Sequence, residues 1–181
     1  MKKKLFTALG LMTGTSMDGV DLSLIKTDGY TQFSSILDKF YEFDEELEKK
    51  LKNLREKIFS ANDLDKYSDE ISKTEKEFTL FHCRIMKEVI EKYDRQIDVI
   101  GFHGQTIFHD SSKNISKQIG DGKLLSQITK KIVINNFREQ DLLNGGQGAP
   151  LTPIFHKLIS QIINHNHKIE FPLNIINIGG I

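Results

Sequence analysis

Four short segments combine glycine with hydroxyl, carboxylate, amide or imidazole groups at a density that a simple turn does not require. The first is GTSMDG, from Gly14 to Gly19, between two apolar segments. Its glycines let backbone amides approach an anion and its hydroxyls add donors. Asp18 or Asp21 could also hold a metal ion or its waters. The alternative is an ordinary hairpin whose polar side chains bond to their own backbone.

The second and third segments each follow an apolar stretch. GFHGQT, from Gly101 to Thr106, places His103 at the end of a predicted strand, where open α/β sheets bind ligands. His103 could bond a substrate hydroxyl or act as an acid or base, although a single histidine beside a strand is commonly structural. QIGDG, which contains Asp121, is too short to be specific by itself.

The fourth segment is the densest and runs from Asn136 to Pro150. Arg138 follows a predicted strand and offers a bidentate fork to a carboxylate or a phosphate. Asp141 lies three residues later, so an Arg138–Asp141 ion pair is the purely structural interpretation. The glycines and amides that follow, Gly146 and Gln147 among them, indicate a loop shaped around a ligand.

Several function classes are disfavoured by what the sequence lacks. It has no G-x-x-x-x-G-K-[ST], no H-E-x-x-H and no G-x-S-x-G. The single cysteine, Cys83, gives neither a disulfide nor a zinc site. Equal numbers of basic and acidic residues, 25 of each, do not favour nucleic acid or anionic membranes as partners. No apolar run reaches the roughly 18 residues of a membrane helix.

The opening MKKKLFTALGLM is similar to a secretory signal, but its apolar run is short and breaks at Thr13 and Gly14. No small-residue cleavage site follows. The run instead pairs with the next apolar segment as a hairpin. We therefore expect a cytoplasmic protein.

The hydrophobic pattern changes from a period of two to a helical period and then alternates between the two. Strands are predicted at Leu5–Met12, Val20–Lys26, Phe33–Phe43, Asp98–Phe102, Lys131–Phe137 and Asn174–Ile178. Helices are predicted from Asp44 to Ile58, in one longer stretch from Leu64 to Val89, at Leu124–Thr129 and at Pro153–Ile163. This alternation indicates an α/β domain with a mixed sheet and flanking helices. We expect residues 1–170 to form one domain and residues 171–181 to be the first strand of a second, truncated one.

Five segments together resemble the anhydro-N-acetylmuramic acid kinase family: GLMTGTSMDGVDL, GFHGQTIFH, QIGDG, NNFREQDLLNGGQGAPLTPIFH and NIINIGGI. They occur in the order of that family and at its approximate spacing, and they cover most of the chain outside residues 30–95. The resemblance implies a ribonuclease-H-like lobe of the actin-like ATPase and sugar-kinase superfamily. It also implies an ATP-dependent, hydrolytic opening of 1,6-anhydro-N-acetylmuramic acid to N-acetylmuramic acid 6-phosphate during peptidoglycan recycling.

The resemblance also assigns residues. The segment that would meet ATP, with Mg²⁺ neutralising charge, comprises Gly14, Thr15, Ser16, Met17, Asp18, Gly19, Val20 and Asp21. The residues that would face the sugar are His103, Asp121, Arg138, Asp141, Gly146 and Gln147. The resemblance does not identify which residue would bind the metal ion. The implied partners are the small-molecule sugar and, compatible with the family, a second copy in a homodimer, but neither nucleic acid nor a membrane.

One departure from the family concerns its general base, an aspartate in a D-T-G-P motif after the NIGGI strand. The sequence stops at Ile181, before that motif. We therefore expect no catalytic residue in these 181 residues and little or no turnover by them alone. The alternatives are a non-catalytic sugar- or nucleotide-binding module and a phosphate-ester hydrolase of the same superfamily. The hydrolase would leave the sugar-side segments unexplained.

Overall fold

A computed structural model describes residues 4–93, 97–167 and 171–176, with side chains up to residue 164 in the last helix. Within these ranges the chain is a mixed α/β structure. The strands are β1 (Phe6–Met12), β2 (Gly19–Thr27), β3 (Phe33–Glu42), β4 (Val99–Phe102), β5 (Gln105–Asp110), β6 (Ile115–Ile119) and β7 (Val133–Ile134). The helices are α1 (Glu45–Arg55), α2 (Ala61–Lys66), α3 (Ser68–Tyr93), α4 (Gly122–Thr129), α5 (Phe137–Leu143) and α6 (Pro153–His167).

The main sheet has the order β3-β2-β1-β4-β7. β1, β2 and β3 are antiparallel neighbours, whereas β4 is parallel to β1 and β7 is parallel to β4. A second sheet is the antiparallel pair of β5 and β6. The predicted mixed sheet with flanking helices is therefore confirmed.

Two amphipathic helices cover one face of the main sheet. Asp44 begins α1 by accepting a hydrogen bond from the Leu47 amide at 2.9 Å, and its position also suits the helix dipole. Leu51 of α1 and Phe78 of α3 are fully buried in the same core as Leu9 of β1. Burying each of these side chains stabilises the fold by roughly 1.5–3 kcal/mol.

The other face of the sheet lies beside α6, where the rings of Phe155 and Phe33 are 5.0 Å apart. A cleft of about 520 Å³ remains between this helix and Ala8, Gly10 and Ile25 of the sheet. Among the helices of the described residues, none is both long enough and apolar enough to cross a membrane.

The three parallel strands end at one edge of the sheet, and this edge carries the polar segments. The amide of His103, just after β4, donates to the Leu11 carbonyl of β1 at 3.1 Å. Gly104 (φ 73°) and Gly120 (φ 136°) bring the end of β6 against the same place. A Cβ on Gly104 would overlap the Ile119 carbonyl oxygen.

Two of the predicted elements differ from those observed. The strand predicted from Lys131 to Phe137 is only Val133–Ile134, because Asn136 adopts φ 58° and Phe137 begins α5. The single helix predicted after Ser60 is divided at Tyr67 into α2 and α3.

The hairpin of β5 and β6 was not predicted at all. For the strand predicted at Asn174–Ile178, residues 174–176 form no strand, and the rest lies outside the described residues. The division between residues 1–170 and 171–181 therefore stays a prediction.

We predict that Gly104→Ala lowers the free energy of unfolding by about 2–5 kcal/mol, because it combines left-handed strain with overlap against Ile119. Gly29→Ala is the matched control: φ is 79°, but nothing lies within 4 Å of its Cβ position. It should cost only the strain, about 1–2 kcal/mol. Urea unfolding of both variants measures the difference. Equal losses would contradict the close approach of β4 and β6.

Candidate functional site

The GTSMDG segment forms the turn between β1 and β2. Met17 adopts φ 56° and buries its side chain in the core, being 1% exposed. Its amide donates to the Gly14 carbonyl at 3.3 Å. Val20, at the start of β2, is also fully buried. These two apolar side chains anchor the turn, and its polar residues Thr15, Ser16 and Asp18 are exposed.

The polar groups of the turn face one another and a neighbouring helix. Ser16 Oγ donates to Asp18 Oδ1 at 2.6 Å, and Arg55 Nη1 of α1 donates to the Thr15 carbonyl at 2.9 Å. A cleft of about 580 Å³ lies between the turn and the end of α1, with Lys52 also in its wall. Gly19 has no room for a side chain, since a Cβ there would overlap the Tyr41 carbonyl.

Arg55 was not singled out from the sequence. It lies in a charge-rich helical stretch whose pattern predicts a solvent-exposed face, and nothing in the neighbouring sequence distinguishes it from the other charged residues.

The donor set of the turn suits an anion. Within the described residues, the amides of Gly14 and Ser16 make no hydrogen bond, and the buried Thr13 Oγ1 has no partner. Asp18 and Asp21 are exposed carboxylates that could hold a divalent cation through its waters. The described residues contain no group of three or more His, Cys, Asp or Glu placed to bind a metal directly. The turn therefore fits a phosphate with a hydrated Mg²⁺ better than an all-protein metal site.

His103 and Arg138 form a hydrogen-bonded pair on the same edge. Arg138 Nε donates to His103 Nε2 at 2.9 Å, and His103 Nδ1 donates to the Gly104 carbonyl at 2.7 Å. Because a guanidinium can only donate, Nε2 must be the accepting nitrogen and Nδ1 the protonated one. The imidazole is therefore neutral, and both of its nitrogens are engaged. This arrangement suits an orienting group more than a free acid or base.

Burial and, to a smaller extent, the charge of Arg138 hold the pKa of His103 below its ordinary value. Burial also lowers the pKa of Arg138, which stays protonated and charged at neutral pH because a guanidinium loses its proton only in strongly alkaline solution.

Asp141 organises the loop after α5 and does not pair with Arg138. Its Oδ2 accepts from the Gly148 amide at 2.8 Å, and its carbonyl accepts from the Gly146 amide at 2.8 Å. A Cβ on Gly146 would overlap the Asp141 carboxylate. The suggested Arg138–Asp141 ion pair is thus wrong, because the carboxylate accepts from the Gly148 amide and Arg138 donates to His103 and to the Gly148 carbonyl.

The remaining predicted residues lie at different depths of this edge. Arg138 Nη1 donates to the Gly148 carbonyl at 2.9 Å, so the loop and the pair form one network. Gln147 is exposed. Asp121 begins α4 by accepting from the Leu124 amide at 2.9 Å, and its own amide donates to Thr79 Oγ1. The described hydrogen bonds do not connect Asp121 with the Arg138 network.

The fold and the site together define a mixed α/β structure with a polar turn and an arginine-containing loop on one sheet edge. A family model described as anhydro-N-acetylmuramic acid kinase matches residues 6–181. The chain belongs to this family.

Curated relatives carry the same description. The protein of Pelagibacter ubique is 54% identical over 179 residues, which are 99% of this chain and 47% of the relative. That of Agrobacterium fabrum is 37% identical over 185 residues, covering 97% of this chain and 47% of the relative. That of Zymomonas mobilis is 37% identical over 179 residues, covering 96% and 47%. The chain spans about half the length of the curated relatives it matches.

We predict that His103 titrates below pH 6.5 in the folded chain and that Arg138→Gln raises its pKa, because a nearby cation is removed. Between the lowered pKa and 6.5 the unfolded state binds more protons, so acidification through this range should destabilise the fold. Histidine NMR titration measures the pKa. Arg84→Gln, at an exposed arginine near Asp44, is the matched control and should leave it unchanged. The same His103 pKa in the Arg138→Gln and Arg84→Gln variants would contradict the contact between His103 and Arg138.

Proposed function

We propose that this chain is the N-terminal, phosphate- and sugar-binding lobe of an ATP-dependent anhydro-N-acetylmuramic acid kinase. The lobe would be ribonuclease-H-like, with residues 171–181 leading into a second lobe. The whole protein would open 1,6-anhydro-N-acetylmuramic acid with water and phosphorylate it to N-acetylmuramic acid 6-phosphate. This reaction would serve peptidoglycan recycling in the cytoplasm, and a homodimer is compatible with it.

One observation carries the proposal: the hydrogen bond from the His103 amide to Leu11, at the end of β1. It brings His103 to the strand next to the one that leads into the GTSMDG turn, and neighbouring strands are about 4.8 Å apart. A transferred phosphoryl group must lie next to its acceptor oxygen, so phosphate and sugar sites must adjoin. The family match supports this assignment.

The residues of the chain would bind and orient. The amides of Gly14 and Ser16 and the Ser16 hydroxyl would donate to phosphate oxygens, where such donors stabilise charge that builds up during transfer. Asp18 or Asp21 would hold the hydrated Mg²⁺, which supplies charge neutralisation when bound. Arg138, held in place by His103 and Gly148, would donate to the sugar. Asp141 would fix the loop from Gly146 to Gly148 that carries this contact.

In the reaction, water would add to the anhydro carbon and lose a proton to a base. The bond to the bridging oxygen would break, and that oxygen would take the γ-phosphoryl group from ATP, with ADP as the leaving group. His103 is not assigned as that base, because both of its ring nitrogens already make hydrogen bonds.

The nucleotide part of the proposal is tested with two serines in matched surroundings. Ser16 and Ser23 each donate to an aspartate at 2.6 Å and lie in the turn and within β2 respectively. Ser16→Ala should weaken binding of Mg·ADP by roughly 10-fold or more, since hydrogen bonds to charged groups contribute about 1.5–3 kcal/mol. Ser23→Ala should leave binding unchanged. Calorimetry with the purified chain gives both affinities.

The location of each ligand is read from backbone amide NMR shifts. Mg·ADP should shift the amides of residues 14–21, and the anhydro sugar should shift His103 and Gly148. Nucleotide shifts confined to another surface, or equal losses for Ser16→Ala and Ser23→Ala, would refute the assignment of the turn.

A further inference from the structure

The segment that follows β6 packs against the end of β4, next to His103. Gly120 adopts φ 136°, and a Cβ there would overlap the ring of Phe102 and lie 3.3 Å from the Cα of Gly104. A Cβ on Gly104 would in turn overlap the carbonyl oxygen of Ile119. The Gly104 carbonyl accepts the hydrogen bond from His103 Nδ1. The backbone at Gly120 is therefore packed directly against the residue that holds the imidazole ring.

Helix α3 fixes this segment at two consecutive amides. The Gly120 amide donates to Glu75 Oε1 at 3.0 Å, and the Asp121 amide donates to Thr79 Oγ1 at 2.9 Å. The Thr79 hydroxyl itself donates to the Glu75 carbonyl at 2.7 Å. Because β6 ends at Ile119, side chains of the helix supply the acceptors that a neighbouring strand supplies elsewhere.

The alternative role for Glu75 is an ordinary surface ion pair with Lys117. The two side chains are 3.8 Å apart and the lysine is 40% exposed, so this pair contributes little. The amide of Gly120 is closer, and a carboxylate that accepts from an amide forms one of the stronger kinds of hydrogen bond. Glu77 on the same helix provides the contrast, since its side chain is 47% exposed against 27% for Glu75 and it pairs with Lys50.

We propose that Glu75 is a positioning residue of the candidate site. Its carboxylate holds Gly120 against Gly104 and so keeps the Gly104 carbonyl on His103 Nδ1. Because Nδ1 then carries the proton, Nε2 stays available to accept from Arg138 Nε. Glu75 acts through the backbone and not by touching a ligand. The inference rests on the proposed function, in which His103 and Arg138 belong to the sugar side of the site.

Three substitutions separate the hydrogen bond of Glu75 from its charge. Glu75→Gln keeps an oxygen acceptor at the same distance from the backbone but removes the charge. Glu75→Asp keeps the charge but is shorter by a methylene group and does not reach Gly120, and Glu75→Ala removes both. NMR shifts of the ring nitrogens of His103 give its tautomer. The unmodified chain and Glu75→Gln should carry the proton on Nδ1, whereas Glu75→Asp and Glu75→Ala should show a mixture of the two tautomers.

Calorimetry measures the consequence for binding of 1,6-anhydro-N-acetylmuramic acid. Glu75→Asp and Glu75→Ala should weaken it by roughly 10-fold, as expected for the loss of one hydrogen bond in the site, and Glu75→Gln by less than about 3-fold. Mg·ADP should bind all three variants within about 3-fold of the unmodified chain, because its proposed site is the turn between β1 and β2. Glu77→Ala is the matched control and should change neither the tautomer nor either affinity. Urea unfolding shows which variants are folded, and the tautomers are compared among those.

The outcomes distinguish this inference from the proposed function. An unchanged His103 tautomer in folded Glu75→Asp and Glu75→Ala overturns the positioning role and leaves the kinase assignment intact. Retention in Glu75→Asp with loss in Glu75→Gln assigns the effect to charge and also overturns it. Parallel losses for the sugar and Mg·ADP make the role merely structural. Failure of the unmodified, folded chain to bind the sugar refutes the proposed function, and the tautomer series alone then decides whether Glu75 positions His103.

Discussion

The parallel pairing of β1 with β4 is the interaction on which the rest of the site depends. These strands are separated by almost ninety residues of sequence, yet Leu11 and Phe102 are register partners. Because the strands run in the same direction, the turn after β1 and the histidine after β4 emerge at the same edge. Pairing in the opposite sense would place His103 and the turn at opposite ends of the sheet. The core of α1 and α3 against Leu9 and its neighbours stabilises this pairing.

The polar groups at that edge are ordered by competition for hydrogen bonds. Asp141 lies close to Arg138 in sequence, but its carboxylate accepts from the Gly148 amide and its backbone carbonyl accepts from the Gly146 amide. Arg138 instead donates to His103 Nε2. His103 Nδ1 donates to the Gly104 carbonyl, so the proton of the neutral imidazole is on Nδ1. Because Asp141 is engaged by the loop and His103 is neutral, the guanidinium of Arg138 has no negatively charged partner within the described residues. A charge left in this way is what a binding site for an anionic ligand requires.

Much of the fold was predictable from local patterns. The alternation in β1 and β2, the cap at Asp44 and the helical spacing of Leu47, Leu51 and Leu54 each depend on neighbouring residues. The wrong secondary-structure predictions fall on segments whose conformation depends on contacts with residues distant in sequence. Lys131–Phe137 has strand composition, but only two of its residues pair with β4 before Asn136 turns the chain into α5. The β5–β6 hairpin was not predicted; Gly104 and Gly120 adopt positive φ at its strand ends, where a Cβ would overlap Ile119 or Phe102.

The sequence by itself determined the secondary-structure periods, the polar segments and the family resemblance that the comparisons confirm. Composition and motif order are properties of the chain alone, so no tertiary contact is needed to read them. Only the tertiary structure decided that Asp141 serves the loop, that His103 is a neutral acceptor, that Arg55 reaches Thr15 and that Arg138 lacks a counter-charge. These facts depend on which groups meet across 35 or 40 residues of sequence. Burial and competition for hydrogen bonds settle them, and neither can be evaluated before the chain is folded.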